Sequence, residues 1–225
     1  NGIDIERMKK DVLDREGVRR ELGIDEEVLL VGMVGQYTPW KNHELFLQTA
    51  AQIKNQIPSA CFVVLGTVHH PENRRYIASL RQKAEELKIL DAVYLLEYRD
   101  DVQSFYEAID LLLHPAEKEP FGRVVLESML YGKPVVAADD GCGPREIISH
   151  DQDGILVQPI TSANLAQAVV GLAQDQQKMR QLGEKGTRKV TSSFSAKKMT
   201  DHVSEVYKEI THTSKPTLDN CSPDG

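Results

Sequence analysis

Two glutamates, Glu119 and Glu127, stand eight positions apart on either side of the run Pro120-Phe121-Gly122. Ionised carboxylates accept hydrogen bonds from pairs of hydroxyl groups. Two of them at this spacing suit a ligand with hydroxyls at both ends. The residues between them suit the start of a helix. Pro120 fits a first turn, where a missing N–H costs nothing, and Gly122 leaves room for a ligand to approach the backbone. Free N–H groups and the helix dipole make such a start an anion site. Along a helix, eight residues rise about 12 Å. A diphosphate at the helix start would then offer a sugar to Glu119 and a ribose to Glu127. On spacing alone, both could equally be surface acids near a helix N-terminus.

The elements that must carry these groups alternate along the chain. Val28–Val34, Ala60–Gly66, Val93–Leu96, Leu111–His114, Pro134–Ala138 and Gly154–Val157 are short, nearly continuous apolar runs. Such runs mark parallel strands buried on both faces. Between them lie segments with helical character: Glu44–Gln56, Asn73–Leu87, Val102–Ile109, Phe121–Leu130, Pro144–Ile148 and Asn164–Ala173. This rhythm predicts an α/β fold, a doubly wound, mostly parallel sheet of six strands. Glu119 would follow the strand ending at His114. Open α/β sheets bind ligands at that carboxyl edge. A helix near Ile5–Leu22 precedes the first strand, and two more, Gln176–Val190 and Ala196–Ile210, close the domain. The domain spans 1–210, and 211–225 reads as a disordered polar tail with two prolines.

Composition narrows the function classes. The chain has 225 residues, 40% of them hydrophobic, enough for a full core in one domain. Its net charge of −7 and scattered Lys and Arg argue against nucleic acid as a partner. No run of 18 apolar residues suggests a membrane span. The sequence opens Asn-Gly-Ile-Asp, without Met or a signal pattern. Cys61, Cys142 and Cys221 are widely spaced and odd in number. A disulfide framework or zinc site is not expected, and a cytoplasmic setting fits. Cys142 reads as an inert thiol. Gly32 and Gly35 do not make a G-x-G-x-x-G fingerprint, so no nicotinamide site is expected.

The run Glu119-Pro-Phe-Gly-Arg-Val-Val-Leu-Glu127 resembles the E-x7-E signature of family 4 glycosyltransferases, which have the GT-B fold. The likeness extends through Tyr131–Ala137, Gly141–Ile147 and Asp153–Val157, and to the opening Asn1-Gly2-Ile3-Asp4. It covers about residues 1–210. It implies a Rossmann-like, donor-binding half of a retaining, hexosyl-type glycosyltransferase. The donor would be a UDP-, GDP- or ADP-sugar, with no cofactor and no metal. Asn1–Asp4 resembles the crossing between the two GT-B domains. The resemblance therefore implies an N-terminal acceptor domain before Asn1, and a chain inactive in transfer without it. It also fits peripheral association of the whole enzyme with a membrane.

The resemblance assigns roles. Glu119 matches the residue that touches the donor sugar, and is the candidate catalytic residue. Glu127 matches the ribose ligand. Phe121, Gly122 and Val124 match the turn whose backbone faces sugar and phosphates. Gly35–Lys41 resembles a diphosphate loop in which Lys41 matches, while Gln36 stands where Arg is usual and brings no charge. Tyr98 and Arg99 follow the third strand, in a loop that lies against the nucleobase, and either could instead cap a helix or stay solvated. Gly141–Gly143 reads as a tight turn, His69 and His70 as loop residues, and His114 as a packed strand-end histidine. Two other readings remain. A GT-B relative that epimerises or hydrolyses a nucleotide sugar would act without acceptor. A degenerate nucleotide-sugar binding module would fail to discriminate among bases.

Overall fold

The computed structural model describes residues 2–8, 15–68 and 70–213. Six strands form one sheet: β1 (Leu30–Val34), β2 (Cys61–Gly66), β3 (Val93–Glu97), β4 (Leu111–His114), β5 (Val135–Ala138) and β6 (Ile155–Val157). Their order is β3-β2-β1-β4-β5-β6, and every pairing is parallel. The order reverses between β1 and β4, which pair through Val31 with Leu111 and Gly32 with Leu112. In open α/β sheets, ligands bind beside the carboxyl ends of the strands at such a reversal.

Side chains alternate between faces along each strand, and the core divides accordingly. Val31, Met33, Phe62, Val64, Leu111 and Leu113 pack with α3 (His43–Gln56), α4 (Pro71–Glu86) and α8 (Ser162–Gln174). Leu30, Val63, Leu65, Leu112, Val135 and Ala137 pack with α5 (Val102–Ala108) and α6 (Arg123–Leu130) on the other face. The doubly wound, six-stranded parallel sheet expected from the apolar runs is therefore present. α7 (Pro144–Ile147) follows β5, and α9 (Gln176–Ser193) and α10 (Ala196–Thr213) close the described chain.

Boundaries differ for local reasons. β1 begins at Leu30 rather than Val28, because the Val28 carbonyl accepts from Arg19 and the Leu30 N–H donates to Asp110. β5 begins after Pro134, which has no N–H for a ladder. The helix expected over Ile5–Leu22 appears as α1 (Ile5–Met8) and α2 (Arg15–Leu22), and 9–14 lie outside the described residues. α10 runs three residues into the segment expected as a tail, and 214–225, with Cys221, lie outside the described residues, as does His69. α6 begins at Arg123, not Phe121. Pro120 is thus not in a helix's first turn, and the 12 Å helical rise from Glu119 to Glu127 does not apply. Gly122 explains the late start: its φ of +93° is left-handed backbone that favours glycine.

Candidate functional site

The loops that leave β1 and β4 meet at the carboxyl edge of the sheet. After β1, the chain turns at Tyr37, whose ring is fully buried. Its hydroxyl donates to the carbonyls of Val64 and Leu96, 3.2 and 2.9 Å away, and Asn73 Nδ2 donates to its carbonyl at 2.7 Å. With that base fixed, a 3-10 turn over Pro39–Lys41 delivers Lys41 to that edge. Asn42 ties this loop to the one after β4, donating to the Pro115 carbonyl at 3.3 Å and Glu117 Oε1 at 3.2 Å.

The second loop sets Glu119 and the turn beside it. Gly143 N–H donates to the Glu119 carbonyl at 3.0 Å. A Cβ on Gly143 would lie 2.4 Å from Phe121 Cα, so only glycine allows this approach. The Gly141–Gly143 loop therefore does more than turn the chain, since it abuts the Glu119–Phe121 backbone. Asp139 holds it in place, accepting from Arg145 at 2.9 and 2.7 Å.

Lys41 Nζ meets Glu119 Oε2 at 2.5 Å between the two loops, and lies 4.0 Å above the Trp40 ring. His114, at the end of β4, places Nε2 3.5 Å from the same carboxylate oxygen. Burial opposes ionisation of Glu119, but His114 and the Lys41 ammonium outweigh it and hold the carboxyl at about 2. Glu119 is therefore an ionised acceptor at neutral pH and not a proton donor.

Glu127 sits one turn into α6, where Tyr106 Oη donates to it at 2.8 Å and Arg123 Nη2 stands 3.7 Å away. Burial pushes its carboxyl up, against the Tyr106 hydrogen bond and the Arg123 charge. It lines a cavity of about 450 Å3 at the carboxyl ends of β1 and β2, together with Gln36, Thr67, Tyr98, Gln103 and Arg123. Gly35 also lines this cavity, and the Lys41 stem packs against it, 3.4 Å from where a Cβ would stand. The ion pair thus borders the cavity that Glu127 faces.

The structure gathers Gln36, Tyr98 and Glu127 on that cavity, with Lys41 and Glu119 at its border. Tyr98 is 63% exposed and forms part of the rim. Arg99 is directed elsewhere. Its guanidinium bonds Glu21 at 2.7 and 2.9 Å and Asp101 at 2.9 Å through two nitrogens, and it does not line the cavity. Phe121 is half-buried against Phe194, ring centres 6.2 Å apart, and Val124 packs on the core. Neither lines the cavity, nor does Gly122; of the residues from Phe121 to Glu127 it is Arg123 and Glu127 that do. Gly122 has no side chain to cap the first N–H groups of α6. Sequence reading missed Asn42, Thr67, Gln103 and Tyr106. The only signal for Asn42 was its position beside Lys41, and the others carried none.

The doubly wound parallel sheet, with its order reversing between β1 and β4, belongs to the class of Rossmann-like α/β domains, which bind ligands at that switch point. Comparison makes the class specific. Residues 14–189 match the family described as glycosyl transferases group 1. The chain belongs to that family. It is 30% identical over 234 residues to a D-inositol 3-phosphate glycosyltransferase of Salinispora arenicola, covering 98% of this chain and 52% of the relative. It is 26% identical over 202 residues to the N-acetyl-alpha-D-glucosaminyl L-malate synthase of Bacillus anthracis, covering 90% and 51%. The chain thus spans about half the length of these relatives. Among solved structures, Anabaena Alr3699/HepE in complex with UDP superposes with a TM-score of 0.84 at 28% identity, over 93% of this chain and 56% of that one. The same protein has been solved with UDP-glucose, with a TM-score of 0.83. Among the described residues, no helix is long and apolar enough to cross a membrane.

Proposed function

We propose that this chain is the donor-binding half of a retaining family 4 glycosyltransferase, and that it holds a nucleotide-diphosphate sugar in the cavity bordered by Glu119 and Glu127. The observation that carries the reading is Glu127 on the cavity at the carboxyl ends of β1 and β2, with the Lys41 stem against Gly35 of that cavity and its ammonium on Glu119. Glu127, half-turned into the cavity, accepts the ribose hydroxyls. Lys41, Arg123 and the uncapped N–H groups of α6 meet the phosphates, without a metal ion. Glu119 accepts hydroxyls of the donor sugar. Transfer places negative charge on the departing diphosphate, and fixed donors aimed there lower the barrier. The ionised Glu119 orients the sugar but has no proton to give. The acceptor site belongs to the portion of the relatives that this chain does not cover. The 225-residue chain by itself is then a binder of donor and not a transferase. The complexes of the Anabaena protein make UDP the first nucleotide to test, with GDP and ADP beside it.

Calorimetric titration with UDP, GDP and ADP tests the reading. One base should bind more tightly than the other two, and Glu127→Ala should weaken that binding. Equal affinity for all three, or none for any, would remove the donor site.

A further inference from the structure

The donor-site reading, on which this inference rests, asks Lys41 to do two things. In the structure it neutralises Glu119 at 2.5 Å, and in the complex it must turn to the phosphates. Glu119 is 8% exposed and ionised at neutral pH. A buried charge stripped of its counter-ion is strongly unfavourable. Departure of Lys41 therefore requires another group to take over the carboxylate.

His114 is placed for this. It is 1% exposed, and its backbone is fixed in the sheet by pairing with Ala137. Its Nε2 makes no well-formed hydrogen bond and stands 3.5 Å from Glu119 Oε2, the oxygen that Lys41 holds, near enough to share already in keeping that carboxyl ionised. That separation lies just beyond a formed hydrogen bond. A buried polar nitrogen left unbonded is costly and rare. His43, the other buried histidine among the described residues, also has unbonded nitrogens, but its neighbours are aromatic. It stacks on Tyr37 with ring centres 5.2 Å apart and meets Tyr76 edge-on at 5.6 Å. Burial depresses its pKa to about 4, which keeps it a neutral core ring. His114 differs in facing a carboxylate.

We propose that His114 is a positioning residue that takes over Glu119 when Lys41 turns to the donor's phosphates. In the Nε2–H tautomer the ring closes onto Oε2 and donates the bond that Lys41 gives up. No proton leaves the ring, and no charge is created. Glu119 stays aimed at the donor sugar, and Lys41 is released. The residue read from sequence as packing alone thereby acquires a role in binding.

The test is a two-by-two comparison of UDP affinity in wild type, His114→Phe, Glu119→Gln and the double variant. His114→Phe should weaken UDP by about tenfold, the effect of a lost hydrogen bond to a charged group, because Lys41 can no longer leave Glu119 without exposing its charge. With Glu119→Gln there is no carboxylate to release, so adding His114→Phe should change UDP affinity little. His114→Gln, whose amide can donate to Glu119, should retain most of the affinity. Equal weakening in both backgrounds would mean that His114 only packs, and would overturn the proposal. So would the absence of any effect. If His114→Phe does not fold, the wild-type His114 Nε2 resonance decides: it should move to a hydrogen-bonded position at UDP saturation, and a fixed resonance overturns the role. Failure of the wild type to bind UDP, GDP or ADP would instead overturn the donor-site reading, and this proposal with it.

Discussion

At the amino ends of β1 and β4, Arg19 meets Asp110 at 2.7 Å; at their carboxyl ends, Lys41 meets Glu119 at 2.5 Å. The two pairs lie at opposite ends of the same two strands, and their surroundings differ. Arg19 is 2% exposed and also donates to the carbonyls of Ala108, Asp25 and Val28, at 2.8, 2.9 and 3.0 Å. Asp110 additionally accepts from Leu30 N–H at 2.8 Å. All three nitrogens of that guanidinium donate to groups of the protein. Lys41 has one carboxylate and the face of Trp40, and the histidine beside its partner has an unbonded nitrogen. The crowded pair fastens α2 to the sheet. The sparse pair is the one that the proposed function assigns to a ligand. Where a buried charge has its partners within the chain, it holds the fold; where partners are few beside a cavity, the proposed donor site gives it a ligand.

The comparison breaks first on stability. Arg19→Met strips Asp110 of its cation and removes a donor from the carbonyls of Ala108, Asp25, Glu26 and Val28. It should cost about 3 kcal/mol or more of unfolding free energy, read by urea denaturation. Glu119→Gln keeps an acceptor for Lys41, whose ammonium also faces the Trp40 ring, and should cost less than Arg19→Met. Similar losses for the two would erase the distinction drawn between them.

Ligand affinity should sort the carboxylates at the carboxyl edge. Glu127→Ala should weaken UDP by roughly 1.5–3 kcal/mol, the worth of hydrogen bonds to a charged acceptor. Glu119→Gln should leave UDP as tightly bound and weaken only UDP-glucose. Calorimetry with both ligands checks this, and equal losses on UDP would show that the roles are misassigned.

The two glutamates should also respond oppositely to pH. Glu119 titrates at about 2 in the fold, below its ordinary 4.5. It contributes stability above pH 4.5 that is lost as pH falls toward 2. Burial raises Glu127 above 4.5. Its contribution is present below 4.5 and is lost as pH rises through the raised value. Relative to wild type, Glu127→Gln should therefore gain stability as pH climbs above 4.5, and Glu119→Gln should lose its deficit as pH falls below it. Thermal melts across this range read both signs, and parallel curves for the two variants would contradict the burial and pairing described.

The smallest effect concerns Gln36. It lines the cavity without a charge, and Arg99 is engaged by Glu21 and Asp101. Gln36→Arg should tighten UDP by on the order of 1 kcal/mol at low salt, less at high salt. No change at low salt would mean that position 36 does not face the phosphates.

What was legible in the sequence was what repeats or what sits close in the chain. Apolar runs marked the strands, because a strand buried on both faces must be apolar throughout. The Glu119–Glu127 run showed both carboxylates, because they share one turn and helix. Illegible were the contacts that only folding brings together. Nothing near Arg19 indicates Asp110, 91 positions away, and nothing near Tyr106 indicates that its hydroxyl reaches Glu127. Arg99 looked available because Glu21, which captures it, belongs to another element. His114 looked like packing because its relation to Glu119 depends on how the loop after β4 folds back. The start of α6 was misplaced because propensity pointed to Pro120, whereas the left-handed φ at Gly122 ends the loop two residues later.

The most direct test of the account is amide chemical-shift mapping of UDP on the 225-residue chain. Saturating UDP should perturb Gly35, Gln36, Thr67 and Glu127, around the cavity at the carboxyl edge, together with Lys41 and Glu119 beside it. The amides of Arg19, Leu30 and Asp110, at the opposite end of the same strands, should stay where they are. Perturbations centred on Arg19 and Asp110, or none near Glu127 at saturation, would contradict the assignment of the carboxyl-edge cavity as the site.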